Sequence, residues 1–437
     1  MEAPRRPPRR DDHTEWNFAV IGAESAVFQA GMMWADPVTV LPLFIGRLGG
    51  STVLVGLVTV LQRLGWILPQ LPMAAVVGHR PNRLPYLRWG VLLFRMPFLV
   101  FVAYLWLVGA TSPATVLTFM LLAYFSVALG NGVVALPWQD IIAKSIPAEI
   151  RGRFFGVMQF AAASMQIGIG FAVRYLLGPG APAFPMNYAT LFSLTAVFFA
   201  LSTVGCWLVR EPIRPVLDRP ESIGEIVAGI GPFLRRELGF RYLTLIAMLG
   251  MGMSLTTPFY IVYATRQLGV APQTAGVYIW AATIGGAMSS MVWGRLNDRR
   301  GPRAAIRGGT MCTLLAPALA LVVPPLARGL EVMLGRQGAV LPYLFGLVFL
   351  AAGSSMNGLW IGTNNYLFDL ASHQERPRYI AILNTLAMPG ALIPLAVGVA
   401  LKGVPYPVVF AALTLIGGVV LSLAWRMPRP RRSVGVA

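Results

Sequence analysis

The chain has 437 residues, of which 56% are hydrophobic and only 12% are charged, and its mean hydropathy is +0.66. A soluble domain carries about twice this charged fraction, so the composition excludes a water-soluble globular protein and indicates helices surrounded by membrane lipid. The formal net charge of +18 would suit a nucleic-acid-binding protein. We exclude nucleic acid as a partner because the arginines lie in short loops between apolar runs.

The N-terminal residues and the few cysteines and histidines indicate neither secretion nor a metal site. Residues 1–15 lack the apolar core and small-residue cleavage site of a signal peptide, so we predict a disordered cytoplasmic tail. Cys206 and Cys312 lie inside apolar runs, and the three histidines are scattered near loops. We therefore expect no disulfide, no metal site and no cofactor.

Twelve apolar runs have the length of about 20 residues that a helix needs to cross a bilayer. They cover residues 17–46, 51–77, 85–109, 113–142, 152–177, 186–209, 241–266, 272–294, 304–326, 338–368, 379–401 and 406–426. A polar cytoplasmic loop is predicted at 211–240 and a cytoplasmic tail at 427–437. The sequence thus predicts an all-α integral membrane protein with six-helix halves at 16–210 and 241–426.

The distribution of positive charge predicts the orientation of the chain. With the N-terminus inside, 27 of the 35 Lys and Arg residues fall in the tails and inner loops. Positive charge near the ends of spans stays on the cytoplasmic side. We therefore expect a multi-pass protein of the cell membrane with both termini cytoplasmic.

The two halves resemble each other in sequence, which predicts two pseudo-symmetric bundles. Gly56 in the second span matches Gly276 in the eighth at an offset of 220 residues, and segment 153–159 matches segment 378–384 at an offset of 225. Matches between spans 1 and 7 and between spans 4 and 10 have offsets of 221 and 226. Internal repeats around a binding site near the bilayer midplane are a recurring design of transporters.

The most distinctive motif is the basic, glycine-bounded segment Gly294–Arg303, for which we predict a tight turn. Its pattern, G-x-x-x-D-R-x-G-x-R, resembles the signature loop of the major facilitator superfamily. This resemblance implies a secondary transporter in which two six-helix halves rock around a small-molecule substrate, with this loop on the cytoplasmic side. The alternative is an ordinary arginine-rich cytoplasmic turn.

The resemblance also implies a cytoplasmic gate, in which Asp298 faces Arg151 and Arg153 at the start of the fifth span. The predicted gate residues are Gly294, Asp298, Arg299, Gly301, Arg303, Asp140, Glu149, Arg151 and Arg153. Alternatively, the basic residues anchor the loops to anionic lipid. The equivalent loop of the first half, residues 78–83, has no aspartate, so we expect asymmetric gating.

Ionisable residues in the middle of spans are costly and are therefore functional candidates. The four in this chain, Glu24, Asp36, Arg63 and Arg95, all belong to the first half. The second half has neutral polar residues at these depths. We add Gln62, Asn131 and Asn384 as polar candidates for substrate contacts.

Asp36 is the strongest candidate for proton coupling. It precedes Pro37, which disfavours helical structure at Asp36 and removes a helical hydrogen bond. Broken helices within a membrane face protein or a water-filled cavity, and a desolvated carboxylate can take up a proton near neutral pH. The alternatives are a permanently ionised Asp36 paired with Arg63, or a position of no importance at the outer surface.

The other three ionisable residues each have two interpretations. Glu24 lies about 18 Å from Asp36 along an ideal helix, too far for the two acids to share one site unless the helix bends. Glu24 either contributes to function, pairs with Arg95, or extends its carboxylate to the membrane surface. Arg63 and Arg95 could each bind an anionic substrate or neutralise an acid.

We therefore predict a monomeric, non-enzymatic secondary transporter that is driven by protons. No G-x-x-x-x-G-K-[ST] motif indicates ATP binding. The glycine-proline antiporter motif of the resembled family is poorly matched, so the direction stays open, and we take export as the working direction. The alternatives are a facilitator, a sodium-linked uptake carrier, or an integral-membrane enzyme or assembly factor.

Overall fold

The structure is a computed structural model that describes residues 13–77, 80–212, 237–335, 338–370 and 376–429. Most of the predicted N-terminal tail, central loop and C-terminal tail lies outside these ranges.

The described chain forms twelve spanning helices, several of them divided. In the first half they are α1 (Thr14–Trp34 and Val40–Arg47), α2 (Thr52–Ile67 and Gln70–Val77), α3 (Leu84–Leu107), α4 (Pro113–Ser145), α5 (Ala148–Leu176) and α6 (Met186–Leu208). In the second half they are α7 (Leu238–Ile246 to Pro258–Arg266), α8 (Ala275–Arg300), α9 (Pro302–Leu334), α10 (Leu341–Leu344 and Gly346–Leu370), α11 (Arg376–Ala387 to Ile393–Ala400) and α12 (Tyr406–Arg426). We call the end where α1 begins and α12 ends the terminal end, and the opposite end the distal end.

Ten of these helices are long and apolar enough to cross a membrane on their own. The other two, α1 and α2, are divided into shorter segments, and α1 also carries Glu24 and Asp36 within its length. The predicted all-α architecture of twelve spans is confirmed.

The break in α1 occurs where Pro37 predicts it. The helix ends at Trp34 and resumes at Val40. The Asp36 carboxylate accepts hydrogen bonds from the backbone N–H of Thr39 at 2.9 Å and from the Thr39 hydroxyl at 2.6 Å. A negative charge near the start of a helix interacts favourably with the helix dipole, so Asp36 stabilises the start of the distal segment of α1 through Thr39, its N-cap residue.

The predicted turn at Gly294–Arg303 is wrong in its extent. Helix α8 continues to Arg300, and Gly301 alone, with φ 81°, separates it from Pro302 at the start of α9. The arginines are compatible with the last turn of a helix because they face the negative end of its dipole. Pro302 suits the first position of a helix, where its missing N–H leaves no bond unmade.

Helix α9 also extends further than the sequence predicts, to Leu334 instead of residue 326. The extension contains Glu331, whose carboxylate accepts hydrogen bonds from the backbone N–H groups of Val340 and Leu341, both at 2.9 Å. The acid thus links the end of α9 to the start of α10. A boundary drawn from apolar residues alone misses this turn of helix.

The internal repeat is visible in the packing of each half. At the terminal end Arg88 of α3 donates a hydrogen bond to the carbonyl oxygen of Trp207 in α6 at 2.7 Å and lies 5.3 Å from the indole centroid. In the second half Arg307 of α9 donates one to the carbonyl oxygen of Trp425 in α12 at 3.0 Å and lies 4.3 Å from its ring. Each arginine satisfies carbonyl groups that the end of a helix leaves free.

The two halves approach each other closely at the distal end, where α2 meets α11. Gly56 lies against the carbonyl oxygen of Pro394, so a Cβ at Gly56 would overlap backbone atoms. Nearby, Thr52 donates a hydrogen bond to the carbonyl oxygen of Gly398 at 2.7 Å. Small residues allow such close approach of membrane helices.

The pseudo-symmetric contact joins α5 and α8, also toward the distal end. Gly276, which the sequence repeat matches to Gly56, lies against the carbonyl oxygen of Gly170. The Trp280 indole covers Gly170 and donates a hydrogen bond to the carbonyl oxygen of Ile167 at 2.8 Å. Equivalent glycines therefore form equivalent contacts between the halves.

Candidate functional site

Asp36 lies at the break in α1 and is 5% exposed. Its carboxylate accepts two hydrogen bonds from Thr39, and Tyr124 of α4 lies close enough to interact with it electrostatically. The Tyr124 hydroxyl is buried without a hydrogen-bond partner in the described part of the chain. No salt bridge joins Asp36 to Arg63 among the described residues, so the predicted alternative of a structural pair does not occur in this conformation.

Arg63 is half-buried in α2, and its guanidinium lies 5.0 Å from the centroid of the Trp66 ring. Within the described ranges it makes no hydrogen bond or salt bridge. Gln62 beside it is also half-buried. This arginine therefore has an aromatic neighbour but no acceptor.

Asn131 is half-buried in α4, close to the depth of Arg63. Its neighbour Gly132 packs against the carbonyl oxygens of Gly65 and Trp66 in α2, which fixes the relative depth of the two helices. Asn384 is half-buried in α11 of the other half. The structure places these amides in opposite halves, and in its described part neither forms a hydrogen bond with Asp36.

Glu24 and Arg95 form a buried network inside the first half, with 8% and 5% exposure. Ser202 of α6 donates a hydrogen bond to Glu24 at 2.5 Å, and Arg95 donates hydrogen bonds to Ser202 at 3.2 Å and to Thr203 at 2.8 Å. The Arg95 guanidinium also lies 5.1 Å from the Phe28 ring. The expected association of Glu24 with Arg95 is therefore bridged by a serine hydroxyl that sequence reasoning did not identify.

Hydroxyl groups take the place of charges in the second half. Ser355 of α10 lies 2.9 Å from Ser254 of α7 and 2.6 Å from Thr313 of α9, measured between hydroxyl oxygens. Together with Thr257 and Tyr260 these residues line a cavity of about 10 Å³. This volume is about that of one water molecule, so the cluster is too small to hold an organic solute.

The halves separate toward the terminal end. Gly156 in α5 is exposed, and a Cβ added to it or to Gly294 in α8 would meet no atom within 4 Å. The terminal segment of α2, Gln70–Val77, packs against α4 of its own half. Among the described residues, the glycine contacts between the halves therefore lie at the distal end and none lies at the terminal end.

The predicted gate residues lie at the terminal end, and in the described part of the chain no ion pair joins those of one half to those of the other. Asp298 is exposed and accepts a hydrogen bond only from Asn297, at 3.4 Å, and no salt bridge links it to Arg151 or Arg153 in the ranges that the structure describes. Arg151 instead donates a hydrogen bond to the carbonyl oxygen of Ile146 at 3.1 Å. The gate stays a prediction that concerns another conformation.

Two further gate candidates serve their own halves. Asp140 forms salt bridges with Arg83 at 3.0 Å and Lys144 at 2.6 Å, and Arg303 donates a hydrogen bond to the carbonyl oxygen of Met427 at 3.0 Å. Glu149, Arg153 and Arg299 are exposed. Arg83 thus occupies the loop in which the first half lacks an aspartate, and it pairs with an acid of α4.

The twelve spanning helices of the described chain, in two related halves that contact each other toward one end, define an integral membrane protein of the two-bundle type. The model of the Major Facilitator Superfamily matches residues 160–335 and, in a second match, residues 242–437. The chain belongs to the Major Facilitator Superfamily.

Proteins of known structure share this fold at low sequence identity. A POT family transporter in complex with 5-aminolevulinic acid superimposes with a TM-score of 0.70 at 12% identity, covering 95% of this chain and 96% of that one. The nucleoside transporter NupG gives 0.65 at 12% identity, covering 94% and 98%, and a D-xylose-proton symporter gives 0.62 at 15%, covering 96% and 98%. These similarities establish the fold and not the substrate.

Two relatives from mycobacteria match in sequence along most of the chain. An uncharacterized protein of Mycobacterium tuberculosis and one of Mycobacterium bovis are each 23% identical over 429 residues, covering 93% of this chain and 76% of the relative.

Proposed function

We propose that this transporter moves a small solute across the cell membrane by alternating access, driven by a proton gradient. The observation that carries the proposal is the unequal contact between the halves, which meet through glycines at the distal end and separate at the terminal end. Rocking of two halves about a central site requires one end to close as the other opens. With both termini cytoplasmic, this conformation faces the cytoplasm.

Asp36 is the residue that we assign to proton coupling. Glu24 has a nearby cation in Arg95 and accepts hydrogen bonds from two serines, Ser25 at 3.1 Å and Ser202 at 2.5 Å. Asp36 has no cationic partner in the described part of the chain, and its carboxylate accepts hydrogen bonds from the backbone and the hydroxyl of Thr39. A buried carboxylate without a counter-charge is the group most easily protonated during a transport cycle.

The position of Asp36 couples its protonation to the contact between the halves. Its carboxylate accepts hydrogen bonds from Thr39, the N-cap residue of the segment Val40–Arg47, and this segment packs against Pro258–Arg266 of α7 at the distal end. Protonation removes the negative charge that stabilises the start of this segment. The distal contact is therefore weaker when Asp36 is protonated, which favours opening at that end.

The gate formed by Asp298 with Arg151 and Arg153 belongs to the opposite conformation in this proposal. Closing the terminal end would bring the end of α8 toward the start of α5. An ion pair formed only there would stabilise the distal-open conformation without affecting the one described.

The test is proton movement in proteoliposomes that contain a pH-sensitive dye, on addition of panels of sugars, amino acids, organic acids and drug-like amines. We expect at least one panel to move protons with the wild-type protein and none to do so with Asp36→Asn. Asp369→Asn, at the terminal end of α10, is the matched control and keeps the wild-type response. Solute uptake that persists in the wild type without proton movement would favour the alternative of a facilitator or a sodium-linked carrier.

A further inference from the structure

Arg63 lies on the face of α2 that is directed at the other half. Gly56, seven residues earlier, contacts Pro394 of α11. Seven residues of an α-helix turn through about 700° and advance about 10 Å, so Arg63 has nearly the direction of Gly56 and lies nearer the terminal end. Gly65, which packs against Ala128 of α4, points about 200° away from Arg63 by the same geometry.

Arg63 is therefore placed between α2 and the other half, nearer the terminal end than the contact of Gly56 with Pro394. The half-buried state of the residue agrees with this position, because it is neither enclosed within the first half nor freely exposed. The ring of Trp66, one turn further along α2, holds the guanidinium on one side at 5.0 Å.

The guanidinium lacks an acceptor, in contrast to the other arginine at this depth. Arg95 donates to Phe199, Ser202 and Thr203 and has Glu24 nearby. Arg63 has five N–H donors, yet none bonds to any residue that the structure describes. Asp36, the acid that the sequence offers as its partner, is hydrogen-bonded to Thr39.

A charged group held within a membrane protein without a counter-charge is costly, and such groups mark substrate or ion pathways. A guanidinium presents two parallel N–H groups that match the two oxygens of a carboxylate or phosphate. We propose that Arg63 binds an oxyanion group of the transported solute, so that the substrates are small organic anions. This inference rests on the proposed transport function and specifies the substrate class of the same site.

The experiment compares four probes that share a phenyl ring and differ in the attached group. Benzoate and phenyl phosphate carry oxyanions, benzamide is neutral and benzylamine is cationic. Thermal unfolding of the full-length protein in detergent is followed against probe concentration. We expect stabilisation by one or both anions only, and the comparison of benzoate with phenyl phosphate decides between carboxylate and phosphate.

The substitution Arg63→Gln is expected to raise the half-saturating anion concentration by about tenfold to a hundredfold, the range for hydrogen bonds to a charged group. Arg63→Lys keeps the charge but loses the paired donors, so its effect is intermediate. Arg328→Gln, an exposed arginine of α9, is the control and leaves the half-saturating concentration unchanged.

The unfolding temperature of Arg63→Gln without any probe distinguishes a binding role of Arg63 from a structural one. Loss of an unpaired charge leaves the unfolding temperature unchanged or raises it, whereas loss of a structural arginine lowers it. Stabilisation by no probe, equal stabilisation by benzoate and benzamide, or anion binding that survives Arg63→Gln would overturn the proposal. Because binding is measured without a gradient, it can succeed or fail independently of proton-coupled transport.

Discussion

The two halves share the contacts that pack their helices and differ in the polar groups that they bury. In both, an arginine lies over a tryptophan ring and binds carbonyl oxygens at the terminal end of the last helix. Both also contribute a repeated glycine, Gly56 or Gly276, to the distal contact. The mid-membrane ionisable groups belong to the first half alone, while the second half has a cluster of hydroxyls around Ser355. The comparison indicates that the internal repeat is kept in the helix packing and not in the polar groups buried within each half.

Substitution of a glycine in the distal contact should have the largest effect on transport, because the backbones of the two halves pack there with no room for a side chain. Gly170→Val would place atoms where the Trp280 ring lies, whereas Gly168, two residues earlier on the same helix, faces open space. We expect Gly170→Val to open the distal end and to abolish solute-dependent proton movement, with Gly168→Val retaining it. Equal behaviour of the two variants would show that this contact does not control the conformation.

Substitution of the two mid-membrane arginines of the first half, Arg63 and Arg95, should have strongly different effects on stability. Arg95→Met leaves Glu24 buried without its cation and should lower the free energy of unfolding by about 3–5 kcal/mol. Ser202→Ala, which removes the bridging hydroxyl, should cost about 1–3 kcal/mol. Chemical denaturation of the purified variants measures these losses. An Arg63→Met variant as unstable as Arg95→Met would contradict the distinction between a structural and a ligand-binding arginine.

The smallest effect is expected in the hydroxyl cluster of the second half. Ser254 and Thr313 also lie 3.0 Å from the carbonyl oxygens of Gly250 and Gly309, respectively. The three hydroxyl protons therefore cannot serve all four close contacts, and Ser355→Ala should cost less than about 1 kcal/mol in the same denaturation assay. A larger loss would indicate that Ser355 has a further partner.

The sequence predicts the framework well because apolar length and proline chemistry act locally. The twelve spans follow from hydrophobic runs, and the break in α1 follows from Pro37, which acts on its own neighbours. The predicted extent of the turn around Gly301 is wrong because arginine and aspartate are as compatible with the end of a helix as with a loop. The predicted length of α9 is wrong because Glu331 stabilises the last turns by accepting hydrogen bonds from backbone N–H groups at the start of the next helix.

The candidate site was less predictable because it depends on the directions of side chains from distant segments. Arg63 and Asp36 appear as a natural pair in the sequence, but the helix break turns Asp36 toward Thr39. Ser202, which bridges Glu24 and Arg95, is a serine in an apolar helix 178 residues from Glu24. No local pattern distinguishes it from Ser193, the other serine of α6. Which end of the transporter is open is a property of the conformation and not of any motif.

The central claim, that the halves rock about a site between them, is tested most directly by distances at both ends of one protein. Spin labels at Gly156→Cys and Arg295→Cys report the terminal end, and labels at Gly180→Cys and Ala271→Cys report the distal end, with Cys206 and Cys312 replaced by serine. We predict that acidification lengthens the distal distance while shortening the terminal one, and that Asp36→Asn holds one conformation at every pH. Distances that do not change with pH, or that lengthen together, would contradict alternating access driven by Asp36.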